Sequence, residues 1–389
     1  MSWKQITSLA RRLRFVKLAL QAGQSMSRLC RLFGISRRTG YKWTRRFDRE
    51  GTRGLRDRSH RPHRVQQLPL RWLSRVRRLR RKHRSWGSRK LVAALRRTYW
   101  KQKVPSARTI DYWLKRLKLT ARRRQRSRRG PQLPRKALTV ARRSNQVWTV
   151  DFKGWFRTQD GTRVEPLTVR DLFSRYLLTV RLLEEQRWEA VRRVFLYLFG
   201  KHGYPSAIRT DNGSPFGSSG PAGLSRLSAW WTALGIRVEF IAPGHPEQNG
   251  GHEQMHRVLK AELTKPASTN ARAQQRRSDQ WACVYNEVRP HEALGQRTPG
   301  TVYCPKRRTV RELNVSYPKG WAIRRVRTNG QIKWQGRKRS VGEAFVGYPV
   351  GLRPKSEGIW EVYFAGLLIG QMWESDQGGI RPAKYVHRF

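Results

Sequence analysis

Val147-Trp148-Thr149-Val150-Asp151-Phe152 reads as a β-strand, an apolar and β-branched run that carries one carboxylate at its outgoing end. The pattern recurs downstream. Ala207-Ile208-Arg209-Thr210 delivers Asp211, and Asn212-Gly213 then turns the chain. Past the turn-rich segment Pro243-Gly244-His245-Pro246-Glu247-Gln248-Asn249-Gly250-Gly251, a helical pattern opens at Glu253 and runs to Leu263. Singly, each carboxylate has an ordinary explanation, because Asp forms turns and Glu suits the first turn of a helix. As a set at the ends of three elements, they call for a common one.

Clustered carboxylates repel one another and raise each other's pKa unless cations lie between them. Oxygen-only ligands favour Mg²⁺ or Mn²⁺ over zinc. Two such ions roughly 4 Å apart can activate a water or a 3′-hydroxyl on one side of a phosphodiester and stabilise the leaving oxygen on the other. Asp151, Asp211 and Glu253 are therefore the candidate catalytic and metal-binding residues. Asp171 is a fourth carboxylate in the region, but its position at a bend gives it a structural turn role.

The surroundings of the three resemble a known family. Thr149-Val150-Asp151-Phe152, Arg209-Thr210-Asp211-Asn212-Gly213-Ser214-Pro215-Phe216, and Pro246-Glu247-Gln248-Asn249-Gly250-Gly251-His252-Glu253 running into Leu259-Lys260 are similar to the core of integrase-type DDE transposases. Those proteins are the bacterial insertion-sequence relatives of retroviral integrase. Tyr285-Asn286-Glu287-Val288-Arg289-Pro290-His291-Glu292-Ala293-Leu294-Gly295 and Thr298-Pro299 resemble the motif that closes that core. The resemblance spans residues 144–303. It implies a ribonuclease-H-like fold, binding of the element's terminal inverted repeats, metal-dependent cleavage exposing 3′-hydroxyls, and joining of those ends to target DNA.

Asp211 and Glu253 are separated by 41 residues, against about 35 in retroviral integrases, a spacing that rests on resemblance and has no physical limit behind it. A small insertion around Gly217-Ser218-Ser219-Gly220-Pro221 accounts for the surplus. Glu247 would give 35 intervening residues, but it lies in a Pro- and Gly-rich loop, whereas Glu253 begins the helix ending in Leu-Lys. His252-Glu253-Gln254-Met255-His256 also satisfies the H-E-x-x-H pattern of zinc metalloproteases. That reading needs both histidines on one face of an established helix and a third ligand downstream.

Charge points to a polyanionic partner. The chain of 389 residues carries 84 Lys and Arg against 25 Asp and Glu, a net +59, and residues 1–143 hold 46 basic and 4 acidic residues. Such a field attracts nucleic acid and makes binding strongly salt-dependent. Within it, Leu29-Cys30-Arg31-Leu32-Phe33, the turn Gly34-Ile35-Ser36 and Arg37-Arg38-Thr39-Gly40-Tyr41-Lys42-Trp43 read as helix, turn and recognition helix, with Ser36 as cap. Arg37, Arg38 and Lys42 would meet a major groove while Tyr41 or Trp43 anchors the core. A second helical pair offers Arg108 and Lys115. Residues 121–143, with nine Arg, one Lys and no acid, read as a phosphate-tracking linker, Arg123 and Arg124 among its contacts. In the core, Asn249, Arg257 and Lys260 are the expected DNA contacts, the last two sharing the helical face of Glu253.

The expected architecture is multidomain. All-α helix-turn-helix units at residues 1–60 and 61–120 and a basic linker at 121–143 precede an α/β ribonuclease-H-like core with a mixed sheet at 144–303. A small antiparallel β-barrel at 304–389 follows, read from Gly-separated alternating runs such as Gln331-Ile332-Lys333-Trp334, Ala344-Phe345-Val346 and Ile359-Trp360-Glu361-Val362-Tyr363-Phe364. Cys30, Cys283 and Cys304 show no ligand spacing. No run is long and apolar enough for a membrane span, so the expectation is a cytoplasmic, nucleoid-associated protein. Its expected cofactors are two Mg²⁺ or Mn²⁺ ions, and its expected partners are double-stranded element-end and target DNA, with a homo-oligomer in the DNA complex. Competing readings are a DNA-binding regulator with a vestigial core and an HExxH zinc protease.

Overall fold

The computed structural model describes residues 7–58, 70–120, 138–242, 245–305 and 315–383. Arg123 and Arg124 lie outside the described residues. The chain divides after Leu68 into two compact units.

The first unit holds α1 (Ser8–Ala19), α2 (Met26–Leu32) and α3 (Arg37–Glu50). Ser36 Oγ accepts the Thr39 amide at 3.2 Å, which starts α3 where the sequence places a cap. Phe15, Val16, Leu29, Cys30, Trp43 and Leu55 form the core. Helices α2 and α3 approach closely at Gly40, where a Cβ would lie 2.6 Å from Cys30 Sγ. Trp43 is the anchor, while Tyr41 is 54% exposed. Arg37, Arg38 and Lys42 are exposed.

The second unit opens with α4 (Leu70–Lys82), α5 (Ser88–Thr98) and α6 (Ala107–Arg116), packed around Trp72, Val76, Trp86, Leu91, Leu95, Ile110 and Leu114. Ser106 caps α6 through the Thr109 amide at 3.2 Å. These helices dock on the following domain. Arg97 donates to the carbonyls of Glu287 and Val288 at 3.4 and 3.0 Å, and Arg89 pairs with Glu292 at 2.6 Å.

The central sheet consists of β1 (Val147–Phe152), β2 (Phe156–Arg157), β3 (Arg163–Asp171), β4 (Leu177–Leu183), β5 (Ala207–Thr210) and β6 (Arg237–Phe240), with α7 (Trp188–His202) between β4 and β5 and α8 (Arg226–Ala233) between β5 and β6. The order is β2-β3-β1-β5-β6, with β4 also on β3. Pairings β1/β3 and β3/β4 are antiparallel, and β1/β5 and β5/β6 are parallel, so the sheet is mixed as expected. Strand alternation sends Trp148, Val150, Leu167 and Val169 into an apolar core with Phe195, Leu198 and Trp231 of α7 and α8. The opposite face carries α9 (Gly250–Leu263) and α10 (Ala271–Cys283), which bury Met255, Leu259 and Trp281 against Leu177 and Val180. Asn286 and Gln275 hydrogen-bond the outer edge of β4, so that edge is covered by side-chain amides. A short α11 (Pro299–Val302) ends the domain.

The C-terminal part of the second unit comprises β7 (Ala322–Arg325), β8 (Gln331–Trp334), β9 (Arg337–Ser340), β10 (Pro349–Ser356), β11 (Ile359–Phe364), β12 (Leu367–Trp373) and β13 (Arg381–Pro382). It is an antiparallel sheet in the order β13-β12-β11-β10-β7 with a separate β8-β9 hairpin. Among the described residues no pairing of β13 with β7 closes it into the expected barrel. Ala344-Phe345-Val346, expected as a strand, is a 3-10 turn (Glu343–Phe345) followed by a turn residue, with Phe345 plugged into the core. The insertion around Gly217–Pro221 touches these strands through Pro221, which lies against Gly342, and Arg226 at the start of α8 pairs with Glu343 at 3.5 Å. Of the three cysteines, Cys30 is buried and Cys283 and Cys304 are exposed.

Candidate metal centre

Parallel pairing brings the first two carboxylates together. Trp148 lies opposite Ile208 and Thr149 opposite Arg209, so two residues further on Asp151 and Asp211 leave adjacent strands side by side. This is the carboxyl end of parallel strands, where open α/β sheets hold their ligands. The Asp151 carboxyl is pushed up to about 7, first by burial and next by the charge of Asp211, with Glu253 adding to it and the Phe152 amide and Lys153 opposing. Asp211 Oδ1 accepts the Gly213 amide at 3.3 Å, an Asx-type contact that orients it at the turn. Glu253 is exposed in the first turn of α9. Glu247 belongs to the 3-10 turn Pro246–Asn249.

Helix α9 begins at Gly250 and not at Glu253, because tertiary contacts hold its first turn. The buried Arg170 donates from Nη1 to the Gly251 carbonyl at 2.6 Å, and a Cβ at position 251 would come within 2.7 Å of Nη2. The early start puts His252 and His256 one turn apart on the face toward the sheet, both buried. Below them lies the polar face of β1 and β3. Thr168 Oγ1 is 2.6 Å from His252 Nε2 and 2.7 Å from His256 Nε2, and it donates to the Asp151 carbonyl at 2.9 Å. Thr149 Oγ1 is 2.9 Å from His252 Nδ1. His256 Nδ1 lies 3.5 Å from Asp151 Oδ2. Burial holds His252 well below the usual imidazole range and His256 down at about 3, with the positive charges of Arg170 and, for His256, Lys153 adding to the effect.

The histidines are what the sequence reading missed, since it gave them no role outside the protease pattern. Their i, i+4 spacing was the available signal. One ligand atom each from Asp151, His252 and His256 lie within 4.8 Å of one another. A zinc protease centre fits poorly, because His252 is fully buried and both its ring nitrogens are engaged by threonines.

Of the remaining candidates, Arg257 and Lys260 are exposed on α9, and Arg108 and Lys115 on α6. Asn249 is the remaining residue of the core expected to contact DNA. It is 7% exposed, at the junction of the 3-10 turn and α9, and its Oδ1 lacks a partner among the described residues. Asp171 has the structural role read for it, accepting from the Asn145 amide at 2.8 Å and from the Ser174 amide and hydroxyl at 2.8 and 2.6 Å.

Comparison with known proteins gives concordant matches along the chain. Integrase core domain models match residues 141–246 and 234–299. A helix-turn-helix domain model matches residues 11–63, and a homeodomain-like model matches 39–114. The C-terminal domain model of the IS481 family transposases matches 321–373. An uncharacterized 31.7 kDa protein of insertion element IS407 from Burkholderia multivorans is 30% identical over 189 residues, 48% of this chain and 66% of that protein. An uncharacterized 39.2 kDa protein of insertion element IS476 from Xanthomonas euvesicatoria is 29% identical over 236 residues, 60% of this chain and 64% of that protein. The chain thus spans just under two thirds of the length of each. Among solved structures, the HTLV-2 integrase catalytic core domain in complex with magnesium aligns over 42% of this chain and 100% of its own, at 16% identity and a TM-score of 0.34, a likeness too low to carry an argument. No helix among the described residues is long and apolar enough to cross a membrane. Along the chain, then, similarity to helix-turn-helix domains, to an integrase core domain and to the C-terminal domain of the IS481 family transposases follows in that order.

Proposed function

We propose that the protein is a DDE transposase that binds the terminal inverted repeats of its own element, cleaves there to expose 3′-hydroxyls, and joins them to target DNA by transesterification. The observation that carries this reading is the pairing of β1 and β5, which sets Asp151 beside Asp211 at the open end of two parallel strands, where burial and the neighbouring charge push the Asp151 carboxyl up to about 7. The residues fit divalent cations, since Asp151, Asp211 and Glu253 offer oxygen donors whose mutual repulsion a cation would relieve. They would hold two Mg²⁺ or Mn²⁺ ions. Bound there, the ions supply Lewis-acid activation of a water or 3′-hydroxyl and stabilisation of the leaving oxygen.

The chain's own residues do the positioning. Thr168 fixes the backbone of Asp151 through its carbonyl. The Gly213 amide holds the Asp211 carboxylate, and Arg170 anchors the helix turn that presents Glu253. Arg257 and Lys260, exposed beyond Glu253 on α9, are assigned to phosphates next to the site. Because the nucleophiles are water and DNA, no covalent protein–DNA intermediate forms. End recognition is assigned to α3 through Arg37, Arg38 and Lys42 and to α6 through Arg108 and Lys115, with Arg123 and Arg124 as phosphate contacts of the linker. The partners are double-stranded element ends and target DNA, bound by a homo-oligomer in the cytoplasm.

The test is Mg²⁺- or Mn²⁺-dependent cleavage of duplexes bearing the element's end. Asp151→Asn, Asp211→Asn and Glu253→Gln should each abolish cleavage and leave end binding nearly intact. Binding without cleavage by the unaltered protein at any divalent ion would instead make the chain a DNA-binding regulator.

A further inference from the structure

We propose that His256 is a metal ligand through Nδ1, so that the ion at Asp151 sits in a mixed nitrogen–oxygen site, and that His252 is a support and not a ligand. This rests on the divalent-metal reading of the carboxylates and adds a donor that the three-carboxylate set does not contain.

Thr168 Oγ1 has a single hydrogen, and only that hydrogen can serve the contact to the Asp151 carbonyl at 2.9 Å, because a carbonyl oxygen has nothing to donate. The two imidazole nitrogens at 2.6 and 2.7 Å from the same oxygen must then donate to its lone pairs. Both histidines are therefore protonated on Nε2. With Nε2 committed as the donor of each ring, Nδ1 is the nitrogen left to accept a proton or a metal ion. His252 Nδ1 is satisfied, since the Thr149 hydroxyl at 2.9 Å can donate to it. Among the described residues no hydroxyl is so placed at His256 Nδ1. It faces Asp151 Oδ2 at 3.5 Å, acceptor against acceptor, in a side chain that is 8% exposed. A buried imidazole lone pair set against a carboxylate oxygen is costly unless a cation or a proton lies between them.

A divalent cation matches the spacing. Metal–donor bonds of about 2.1 Å put two neighbouring ligands roughly 3 Å apart, close to the separation of Nδ1 and Oδ2. The second nitrogen of a metal-bound histidine is normally held by a hydrogen bond that fixes the tautomer, and Thr168 does so here. The same threonine also holds the backbone carbonyl of Asp151, so one hydroxyl sets the mutual placement of both ligands. An imidazole ligand shifts the preference of the site from Mg²⁺ toward Mn²⁺ and the later divalent metals.

Pulsed electron paramagnetic resonance of the full chain loaded with Mn²⁺, with and without duplex DNA, tests the assignment. Nitrogen modulation is expected from the bound ion, shifting from the ¹⁴N to the ¹⁵N pattern when histidine alone is isotopically labelled. His256→Ala should lose the modulation and weaken Mn²⁺ binding at least about tenfold, in the range for disturbing a metal's ligand environment. Bound Mn²⁺ that disappears in Asp151→Asn but shows no histidine modulation in the unaltered protein would overturn the His256 assignment and leave the carboxylate reading standing. Modulation that survives in His256→Ala would overturn it too. Failure of Mn²⁺ to bind, or binding indifferent to Asp151→Asn, would remove the carboxylate reading itself. Isotope labelling needs no variant, so the test survives misfolding of His256→Ala.

Discussion

Replacing Asp151 with Asn should stabilise the metal-free protein, and by an amount that grows with pH. In the folded chain the Asp151 carboxyl is moved from 3.8 to about 7, chiefly by burial and then by Asp211, and its side chain is 26% exposed. Between those two values the native state holds a proton that the unfolded chain has lost. Unfolding therefore releases a proton there, and stability falls as pH rises through the window. Roughly three pH units at 1.36 kcal/mol each give a penalty of about 4 kcal/mol at pH 8 and roughly 2 kcal/mol at pH 5. Asn matches the shape and does not titrate, so it escapes the penalty. The assay is hydrogen exchange of the β1 and β3 amides against denaturant in the presence of a chelator, at pH 5 and pH 8. A larger gain for the variant at pH 8 is the expected result. A gain of the same size at both values, or a loss at pH 8, would refute the reasoning that burial and Asp211 hold this carboxyl up. Added Mn²⁺ should reverse the order, stabilising the unaltered protein and not the variant.

Glu253→Gln should abolish cleavage of end-bearing DNA while Glu247→Gln leaves it within about twofold, the catalytic contribution of a positioned group being far larger than that; the opposite outcome would make Glu247 the third carboxylate. Arg37→Ala and Arg38→Ala should each cost about 1–3 kcal/mol at one particular base pair, whereas Arg123→Ala or Arg124→Ala should weaken all DNA alike and reduce the salt slope by about one. Binding to end and scrambled duplexes across a salt series separates the two behaviours. Gly40→Val should destabilise the first unit by about 1–3 kcal/mol, since even a Cβ there meets Cys30 Sγ at 2.6 Å and Phe15 Cζ at 3.0 Å. Unchanged exchange protection of α2 and α3 would contradict the close approach.

Features fixed by neighbours in sequence were legible without the structure. The Asp151 strand, the Asn212-Gly213 turn, the Ser36 cap and the meander ahead of the Asp211 strand all follow from period-two patterning and turn chemistry. Features fixed by distant residues were not. Two glycines after a proline read as loop, yet α9 starts at Gly250 because Arg170, far upstream on β3, grips the Gly251 carbonyl. That earlier start turns His252 and His256 toward Thr168 and Asp151, a relation invisible in a linear pattern that also matches a protease. The docking of α5 through Arg97 onto Glu287 and Val288 joins residues nearly two hundred positions apart. Ala344-Phe345-Val346 has strand-like composition, but Phe345 is used as a plug on a 3-10 turn, and apolar runs of three cannot distinguish those uses.

The central claim is that Asp151, Asp211 and Glu253 form one metal-dependent centre for DNA strand joining. Its most direct test is to supply a duplex with the element's end already cut to a free 3′-hydroxyl, together with plasmid target and Mg²⁺ or Mn²⁺, and to follow covalent joining. Joined product is expected from the unaltered protein, with no DNA linked to protein, and none of it from Asp151→Asn, Asp211→Asn or Glu253→Gln, although each still binds the end. Joining that survives any of the three changes, or that proceeds through a protein-linked DNA strand, would contradict it.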